Sequence, residues 1–335
     1  MSTYQCLWIE ESDDKTSTHI QQRGLADLPQ TNGILVRVAY SSLNYKDALS
    51  CAGNRAVTRK YPHQPGIDAA GTIEASDNAQ LPIGTDVLIT GYDLGMNTPG
   101  GLSEYIRVPS EWVLPVPEGL SLKNSMMFGT AGLTAALCIN KLEHSGISPQ
   151  HGPILVTGAT GGVGSIATAI LSERGYEVIA VTGKPDQQDY LKQIGANKVL
   201  LRAEVNEGSP RPLLKPAYAG AIDVAGGATL ANLLKQIKPG GSVACCGLVD
   251  SPELNTTVMP FIIRGINLLG VDSVEISLSD KASAWKMVAD FCQSDNGMAH
   301  MQLINQSIAL QEAPDYLMKI LRGEIQRHIL VDMSL

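Results

Sequence analysis

The sequence predicts a two-part α/β protein: a small, irregular β-rich barrel, then a doubly wound parallel sheet, with a carboxy-terminal tail that returns to the first part. Three observations predict it. The first third alternates short apolar runs with Gly, Pro, Asn and Asp. From about Asn124 the rhythm changes to strand–helix alternation, the signature of a parallel sheet covered by helices. A glycine-rich segment, Val156-Thr-Gly-Ala-Thr-Gly-Gly-Val-Gly164, lies between an expected strand and an expected helix. With 335 residues, the chain is too long for one compact core and comfortable for two. The expected parts are residues 1–124, 125–268 and 269–335.

The elements follow in order. Residues 34–40 read as a strand with Val36, Val38 and Tyr40 on one face. Further short strands are expected at 71–73, 86–90 and 104–108, and regular short strands separated by turns suggest the barrel. A helix is expected over 125–142, a strand over 153–157, and a helix over 163–174 that Gly175 stops. Strand 177–181, helix 187–194, strands 198–201 and 221–224, helix 230–237 and strand 241–248 continue the alternation. Beyond about Leu269 come helices at 282–291 and 314–321 and a closing strand at 328–332. That tail is too small to fold alone, which is why it is expected to rejoin the first part.

Composition narrows the function classes. The chain is 44% hydrophobic but only 5% aromatic, so small aliphatics must fill the cores, as in Val/Ile-rich parallel strands. A net charge of −8, from 25 basic and 33 acidic residues without a Lys/Arg block, argues against nucleic acid or an anionic membrane as partner. An anionic substrate would need local basic residues to attract it. The amino terminus, Met1-Ser-Thr-Tyr-Gln-Cys6, lacks a basic segment followed by an apolar run, and no stretch approaches the roughly 18 apolar residues of a membrane span. Six cysteines without a C-x-x-C pair speak for a reduced, cytoplasmic protein rather than a disulfide scaffold.

The glycine segment carries the chemistry. Glycine lets a backbone turn tightly and approach a pyrophosphate, and the helix that follows offers free N–H groups and a positive dipole end to the phosphates. The usual first glycine of G-x-G-x-x-G is Ala159 here, so the tight turn draws on Gly158. The end of the next strand decides which dinucleotide binds. A site for NAD places Asp or Glu there to hold the ribose 2′-hydroxyl. This chain has Thr182-Gly183-Lys184 instead, a hydroxyl, a small residue and an ammonium suited to a 2′-phosphate, with Arg202 placed after the third strand to approach the same group. NADPH is the expected cofactor.

No metal is expected. The loop from Gly91 to Gly101 contains no cysteine, Pro65-Gly-Ile-Asp-Ala-Ala-Gly71 contains no histidine, and the six histidines (His19, His63, His144, His151, His300 and His328) are scattered.

Several motifs run through nearly the whole chain: Ser41-Ser-Leu-Asn-Tyr-Lys-Asp-Ala-Leu49, Pro65-Gly-Ile-Asp68, Gly100-Gly-Leu-Ser-Glu-Tyr105, Gly129-Thr-Ala-Gly132, the glycine segment, Thr257-Val-Met-Pro-Phe-Ile262 and Gly270-Val-Asp-Ser273. Together they resemble the bacterial NADPH-dependent acryloyl-CoA reductases, in the quinone oxidoreductase branch of the medium-chain dehydrogenases/reductases. The resemblance implies a GroES-like catalytic domain with a Rossmann domain inserted into it, and a homodimer. It implies NADPH contacts at Tyr45, at Thr160, Gly161, Gly162 and Val163, at Thr182, Gly183 and Lys184, and at Arg202, Leu248, Ile262 and Ser273. Where the family has an arginine in the last strand, this chain reads Arg327-His328. Either Arg327 substitutes, or the cofactor contact expected at His328 is weaker.

The turn Asn44-Tyr45-Lys46-Asp47 stands where zinc-dependent relatives carry a metal ligand. Without a Lewis acid a simple carbonyl is hard to polarise, whereas an enoyl thioester is already electrophilic at its β-carbon. Such an enzyme needs an aligned hydride, donors for the developing enolate oxygen and a proton for the α-carbon. Tyr45 is the candidate to contact the nicotinamide or donate to the enolate, Asn44 to offer an amide donor, and Asp47 to orient its neighbours. Asn44 and Asp47 also read as caps of a helix beginning near Lys46. The expected reaction is reduction of acryloyl-CoA to propanoyl-CoA. A quinone or free enal/enone reductase is the alternative, and a non-catalytic NADPH-binding protein the further one.

Overall fold

A computed structural model describes residues 3–13, 15–29, 33–206 and 210–335. The chain forms two compact units. The first comprises Met1–Thr130, Ser273–Ala289 and Asn305–Leu335, and the second Ala131–Asp272 and Asp290–Ile304.

The chain opens on an antiparallel hairpin, β1 (Thr3–Ser12) and β2 (Lys15–Gly24). Nothing in the residues announces it, because Lys15–Gly24 reads KTSTHIQQRG and has no apolar alternation. β1 carries the burial, through Tyr4, Cys6, Leu7 and Ile9. Then come β3 (Ile34–Leu43), α1 (Tyr45–Cys51), β4 (Asp68–Ala75), β5 (Asp86–Thr90), β6 (Tyr105–Val108) and β7 (Leu114–Pro115). β3 pairs antiparallel with both β4 and β6, and β4 with β5. Ile34, Val36 and Val38 of β3 alternate into one core with Ala69, Ile73, Val87, Ile89 and Ile106, as the period-two pattern requires. The short strand expected at 71–73 is the middle of the longer β4.

α2 (Leu122–His144) breaks at Gly129, whose φ of 51° and ψ of −154° are not helical. The second unit continues with β8 (Ile154–Val156), α3 (Gly162–Glu173), β9 (Val178–Thr182), α4 (Gln188–Gln193), β10 (Lys198–Leu201), α5 (Arg202–Asn206), β11 (Tyr218–Asp223), α6 (Gly227–Leu234), β12 (Ile237–Cys245), α7 (Met259–Arg264) and β13 (Asn267–Gly270). Its six strands are all parallel, in the order β10-β9-β8-β11-β12-β13. That is the doubly wound order of a Rossmann fold, and the order reverses between β8 and β11. Ligands bind in such sheets at the carboxyl ends of the strands beside that reversal.

One expected element is corrected. The helix expected at 230–237 is α6, which ends at Leu234, and Ile237 begins β12 opposite Tyr218. Pro239 disfavours helical backbone at Lys238, so the chain is already extended before the Gly240-Gly241 pair.

The remainder is α8 (Leu278–Cys292), α9 (Gly297–Ile304), β14 (Asn305–Ala309), α10 (Ala313–Leu321) and β15 (His328–Asp332). β15 lies antiparallel to β3, with Ile329 opposite Leu43, and β14 adds outside it in parallel. Leu317 of α10 and Ala48 of α1 share a buried cluster, so the tail holds the turn after β3 from behind. Among the described residues no helix is long and apolar enough to cross a membrane. All six cysteines are unpaired.

Candidate active site

In the second unit, β8 runs into the glycine loop at the point where the strand order reverses. Gly158 takes the left-handed conformation at φ 57°, and a Cβ there would lie 2.4 Å from Val224 Cγ2. The turn is therefore made by Gly158. Ala159 is fully buried and donates its N–H to the Val181 carbonyl, 3.0 Å away. Gly164 packs the helix onto the loop, since a Cβ there would sit 2.4 Å from the Gly158 oxygen. Gly161 differs from both. It is exposed, caps α3 with ordinary extended backbone (φ −87°, ψ 172°), and a Cβ there would meet only the Gly158 oxygen, at 3.4 Å. A Cβ on Gly161 would have room and Gly161 is exposed, which fits a pyrophosphate laid against the helix N-terminus.

The loop is braced from below. The Thr157 hydroxyl donates to Asp223 Oδ1 at 2.8 Å and accepts from the Val224 N–H at 3.0 Å, and Asp223 Oδ2 accepts from the Gly226 N–H at 2.8 Å. Burial pushes the Asp223 carboxyl above its ordinary range, against these hydrogen bonds. These bonds tie together the ends of β8 and β11, the two strands that flank the reversal.

The structure also gathers the residues expected to select the cofactor. Thr182 is buried at the end of β9, its hydroxyl 3.4 Å from that of Thr160 and accepting from the Lys184 N–H at 3.0 Å. A Cβ on Gly183 would lie 3.1 Å from an Arg202 guanidinium nitrogen, so Arg202 lies across Gly183. Lys184 is half-buried, and burial moves its ammonium below the ordinary lysine value. No carboxylate belongs to Thr182-Gly183-Lys184. Leu248 and Ile262, further along this unit, are 61% and 73% exposed. Both are apolar side chains open to solvent.

In the first unit, the turn after β3 is held by two buried carboxyl groups. Asp68, at the start of β4, accepts on Oδ2 from the Ser42 hydroxyl (2.6 Å), the Asn44 side-chain amide (2.8 Å) and the Thr130 N–H (2.8 Å), and on Oδ1 from the Thr130 hydroxyl (2.6 Å). Asp47, the third residue of α1, accepts from the Asn44 N–H at 2.8 Å and the Ile67 N–H at 2.9 Å. Tyr45, the first residue of α1, is 45% exposed, and among the described residues nothing hydrogen-bonds its hydroxyl. Ser273 is half-buried elsewhere in this unit.

Two of the expected site side chains are engaged within the fold. Asn44 has no amide donor left for a ligand, because its side-chain N–H groups go to the Ser42 carbonyl (3.3 Å) and Asp68. His328, expected to touch the cofactor, is 3% exposed, with Nε2 at 3.2 Å from the Met126 carbonyl. Burial holds its pKa below that of an ordinary histidine, so it does not present the charge of the arginine that it replaces. Asp47 orients the turn, and both of its oxygens are already occupied by backbone.

Asp68 is a site residue that the sequence reading of Pro65-Gly-Ile-Asp68 does not single out. The available signal was a lone carboxylate inside the apolar run Ile67-Asp-Ala-Ala70, since charged residues are rarely buried without partners.

Asp47 makes a pH-dependent prediction. Burial first, and then the Asp68 charge, push its carboxyl up to about 7 from the ordinary 3.8. A raised carboxyl contributes stability that is full below about pH 4 and lost as pH rises through about 7. His328 acts oppositely, its contribution being lost as pH falls. Asp47→Asn removes the first titration alone. Its stability deficit against the unmutated protein should therefore shrink as pH rises from about 5 to about 8, by up to roughly 1.4 kcal/mol per pH unit. Urea unfolding at both pH values measures this, and a deficit independent of pH would refute the assignment. Among the described residues no group of three or more His, Cys, Asp or Glu could hold a metal ion.

Comparison with known proteins places the chain. Residues 30–118 match the alcohol dehydrogenase GroES-like domain, and residues 162–293 match the family model described as zinc-binding dehydrogenase. A Bacillus subtilis protein provisionally named quinone oxidoreductase YhfP is 44% identical over 334 residues, covering 99% of this chain and all of that one. Its structure with NAD bound has a TM-score of 0.95, covering 99% of this chain and all of that chain. The acrylyl-CoA reductase AcuI of Ruegeria pomeroyi is 43% identical over 325 residues, 97% of each protein. The Escherichia coli YhdH structure with bound NADPH is 44% identical with a TM-score of 0.93, covering 98% of this chain and 99% of that one.

Proposed function

The chain belongs to the medium-chain dehydrogenase/reductase family, and we propose that it is an NADPH-dependent reductase of the carbon–carbon double bond in an α,β-unsaturated acyl thioester, acryloyl-CoA being the type substrate. The observation that carries the reading is the turn after β3. It presents an exposed phenol whose hydroxyl is uncommitted among the described residues, on a turn held by two buried carboxyl groups, in a relative of an acrylyl-CoA reductase.

The cofactor is assigned to the second unit. Thr160, Gly161, Gly162 and Val163 hold the pyrophosphate through the backbone of the loop and α3. Thr182, Gly183, Lys184 and Arg202 take the 2′-phosphate. Leu248 and Ile262 offer apolar contact, and Ser273 is assigned a polar one. NADPH, when bound, supplies the hydride for the β-carbon. The Tyr45 hydroxyl donates a hydrogen bond to the enolate oxygen of the reacting thioester and so offsets the charge that develops there. Asn44 and Asp47 are positioning residues, since they fix the first turn of α1 from which Tyr45 projects. A conjugated thioester brings its own electrophile, so this donor takes the place of a Lewis acid.

The relative crystallised with NAD makes cofactor choice a direct question for this chain. Lys184→Ala should weaken NADPH binding by about 1.5–3 kcal/mol, the range for a charge-assisted hydrogen bond, or roughly tenfold to a hundredfold in Kd. NADH binding should be unchanged. Fluorescence titration with both cofactors reads this, and equal affinity of the unmutated protein for the two would contradict the assignment.

The half-buried edge strand β13 and the exposed Val249, Val258 and Ile263 of the second unit support the homodimer that the resemblance implies. The provisional name of the Bacillus relative favours a quinone as second reading. Turnover of acryloyl-CoA, crotonyl-CoA and a simple quinone with NADPH separates the two. The thioesters are the expected substrates, and rapid turnover confined to the quinone would overturn the assignment.

A further inference from the structure

We propose that Asp68 is a positioning residue for the reaction, acting through the turn that presents Tyr45. The proposal rests on the assignment of Tyr45 as the donor to the enolate. Asp68 stands 23 residues beyond Tyr45 in sequence, and its side chain is fully buried. It accepts four hydrogen bonds and donates none, from the Ser42 hydroxyl, the Asn44 amide, and the N–H and hydroxyl of Thr130. Its backbone is engaged as well, since the Ser41 hydroxyl donates to the Asp68 carbonyl at 2.8 Å. A single carboxyl group therefore fastens Ser42 near the end of β3, the residue that precedes Tyr45, and the chain just after the break in α2.

The surroundings are shaped to this side chain. Gly129 holds left-handed backbone, and a Cβ there would lie 2.3 Å from the Ser42 hydroxyl and 2.6 Å from Asp68 Oδ2. Only glycine lets Thr130 turn both of its donors onto Asp68. The Thr130 N–H is one that a broken helix leaves without an intrahelical acceptor, so the carboxyl also satisfies a group that would otherwise be orphaned. A fold that needed only a sealed core here could use an apolar residue. This one buries a carboxyl and surrounds it with four donors, an arrangement that fixes geometry rather than adding hydrophobic stability.

Asn44 is the link to the site. Its side chain is tied to Asp68, its backbone N–H to Asp47, and the next residue is Tyr45. With Asp68 in place the first turn of α1 has one orientation. Without it, the Asn44 amide loses its principal acceptor and the Tyr45 hydroxyl loses its fixed position relative to a bound acceptor. Rate is sensitive to such misplacement even where binding survives.

A double-mutant cycle tests this. Asp68→Asn keeps the shape and replaces one acceptor oxygen with a donor. It should lower kcat by roughly tenfold to a hundredfold with NADPH affinity unchanged, as expected when a reacting group is displaced. In the Tyr45→Phe background the same change should lower kcat by less than about twofold, because the hydroxyl it positions is gone. Equal losses of kcat in both backgrounds, or no loss in the first, would overturn the proposal while leaving Tyr45 as donor. A Tyr45→Phe variant with unaltered kcat would overturn both. Should Asp68→Asn fail to fold, Thr130→Val removes one donor to the carboxyl and is carried through the same cycle. A several-fold loss in kcat that Thr130→Ser recovers, and that vanishes with Tyr45→Phe, supports the proposal, and a loss of thermal stability without change in kcat refutes it.

Discussion

Replacing Gly161 with valine is expected to abolish NADPH binding while the fold survives. The position has ordinary extended backbone, and a Cβ would touch only the Gly158 oxygen at 3.4 Å, so the folded protein should lose no more than about 1 kcal/mol of stability at this cap. The cofactor meets a different surface. A side chain there fills the open space before the first turn of α3 and holds the phosphates away from its N–H groups. Losing two charge-assisted hydrogen bonds at roughly 1.5–3 kcal/mol each would raise Kd by about 10²-fold to 10⁴-fold. Gly164→Val is the contrast. Its Cβ would sit 2.4 Å from the Gly158 oxygen and 2.8 Å from Ala159 Cα, so that variant should fail in folding itself. Fluorescence titration and thermal unfolding of the pair distinguish a binding glycine from a packing one. Normal NADPH affinity in Gly161→Val would show the loop to be structural only.

Tyr45→Phe carries the second large effect. It removes one hydroxyl, keeps the ring, and disturbs nothing else, since among the described residues that hydroxyl has no hydrogen-bond partner to lose. If it stabilises the enolate, turnover should fall by roughly 10²–10³, the loss typical of one oxyanion donor, with NADPH affinity unchanged. If the ring only stacks on the nicotinamide, Tyr45→Phe should leave turnover intact, and Tyr45→Ala should instead weaken NADPH binding. Steady-state kinetics on both variants, with cofactor titration, decides between the roles.

Some of this was legible in the residues and some was not. The glycine loop was, because a strand, a turn of small residues and a helix occupy adjacent positions in the chain, and Thr182-Gly183-Lys184 stands one strand later. Local order there is the site. Arg202 was legible as a neighbour of that strand, and its guanidinium does lie across Gly183. The first unit was harder. The roles of Asp68, Thr130 and Ser42 depend on pairings between β3, β4 and the break in α2, separated by 26 to 62 residues, which no local pattern announces. Asn44 illustrates the limit. Its residue type and place were right for a donor, yet its amide is spent on Asp68, a fact of tertiary structure alone. His328 shows the same limit, as burial decides whether a histidine carries charge. The hairpin β1–β2 is not legible because the half-buried face of β2 carries Thr16 and Thr18 beside Ile20, so no apolar alternation marks it.

The proposed reaction is reduction of the double bond of an enoyl thioester. The most direct test is single-product analysis with NADPH deuterated at the transferable position, acryloyl-CoA as acceptor and ordinary water as solvent. The expected product is propanoyl-CoA with deuterium at the β-carbon and a solvent proton at the α-carbon. Deuterium at the α-carbon, or no reduction of any enoyl thioester alongside rapid quinone turnover, would contradict the account.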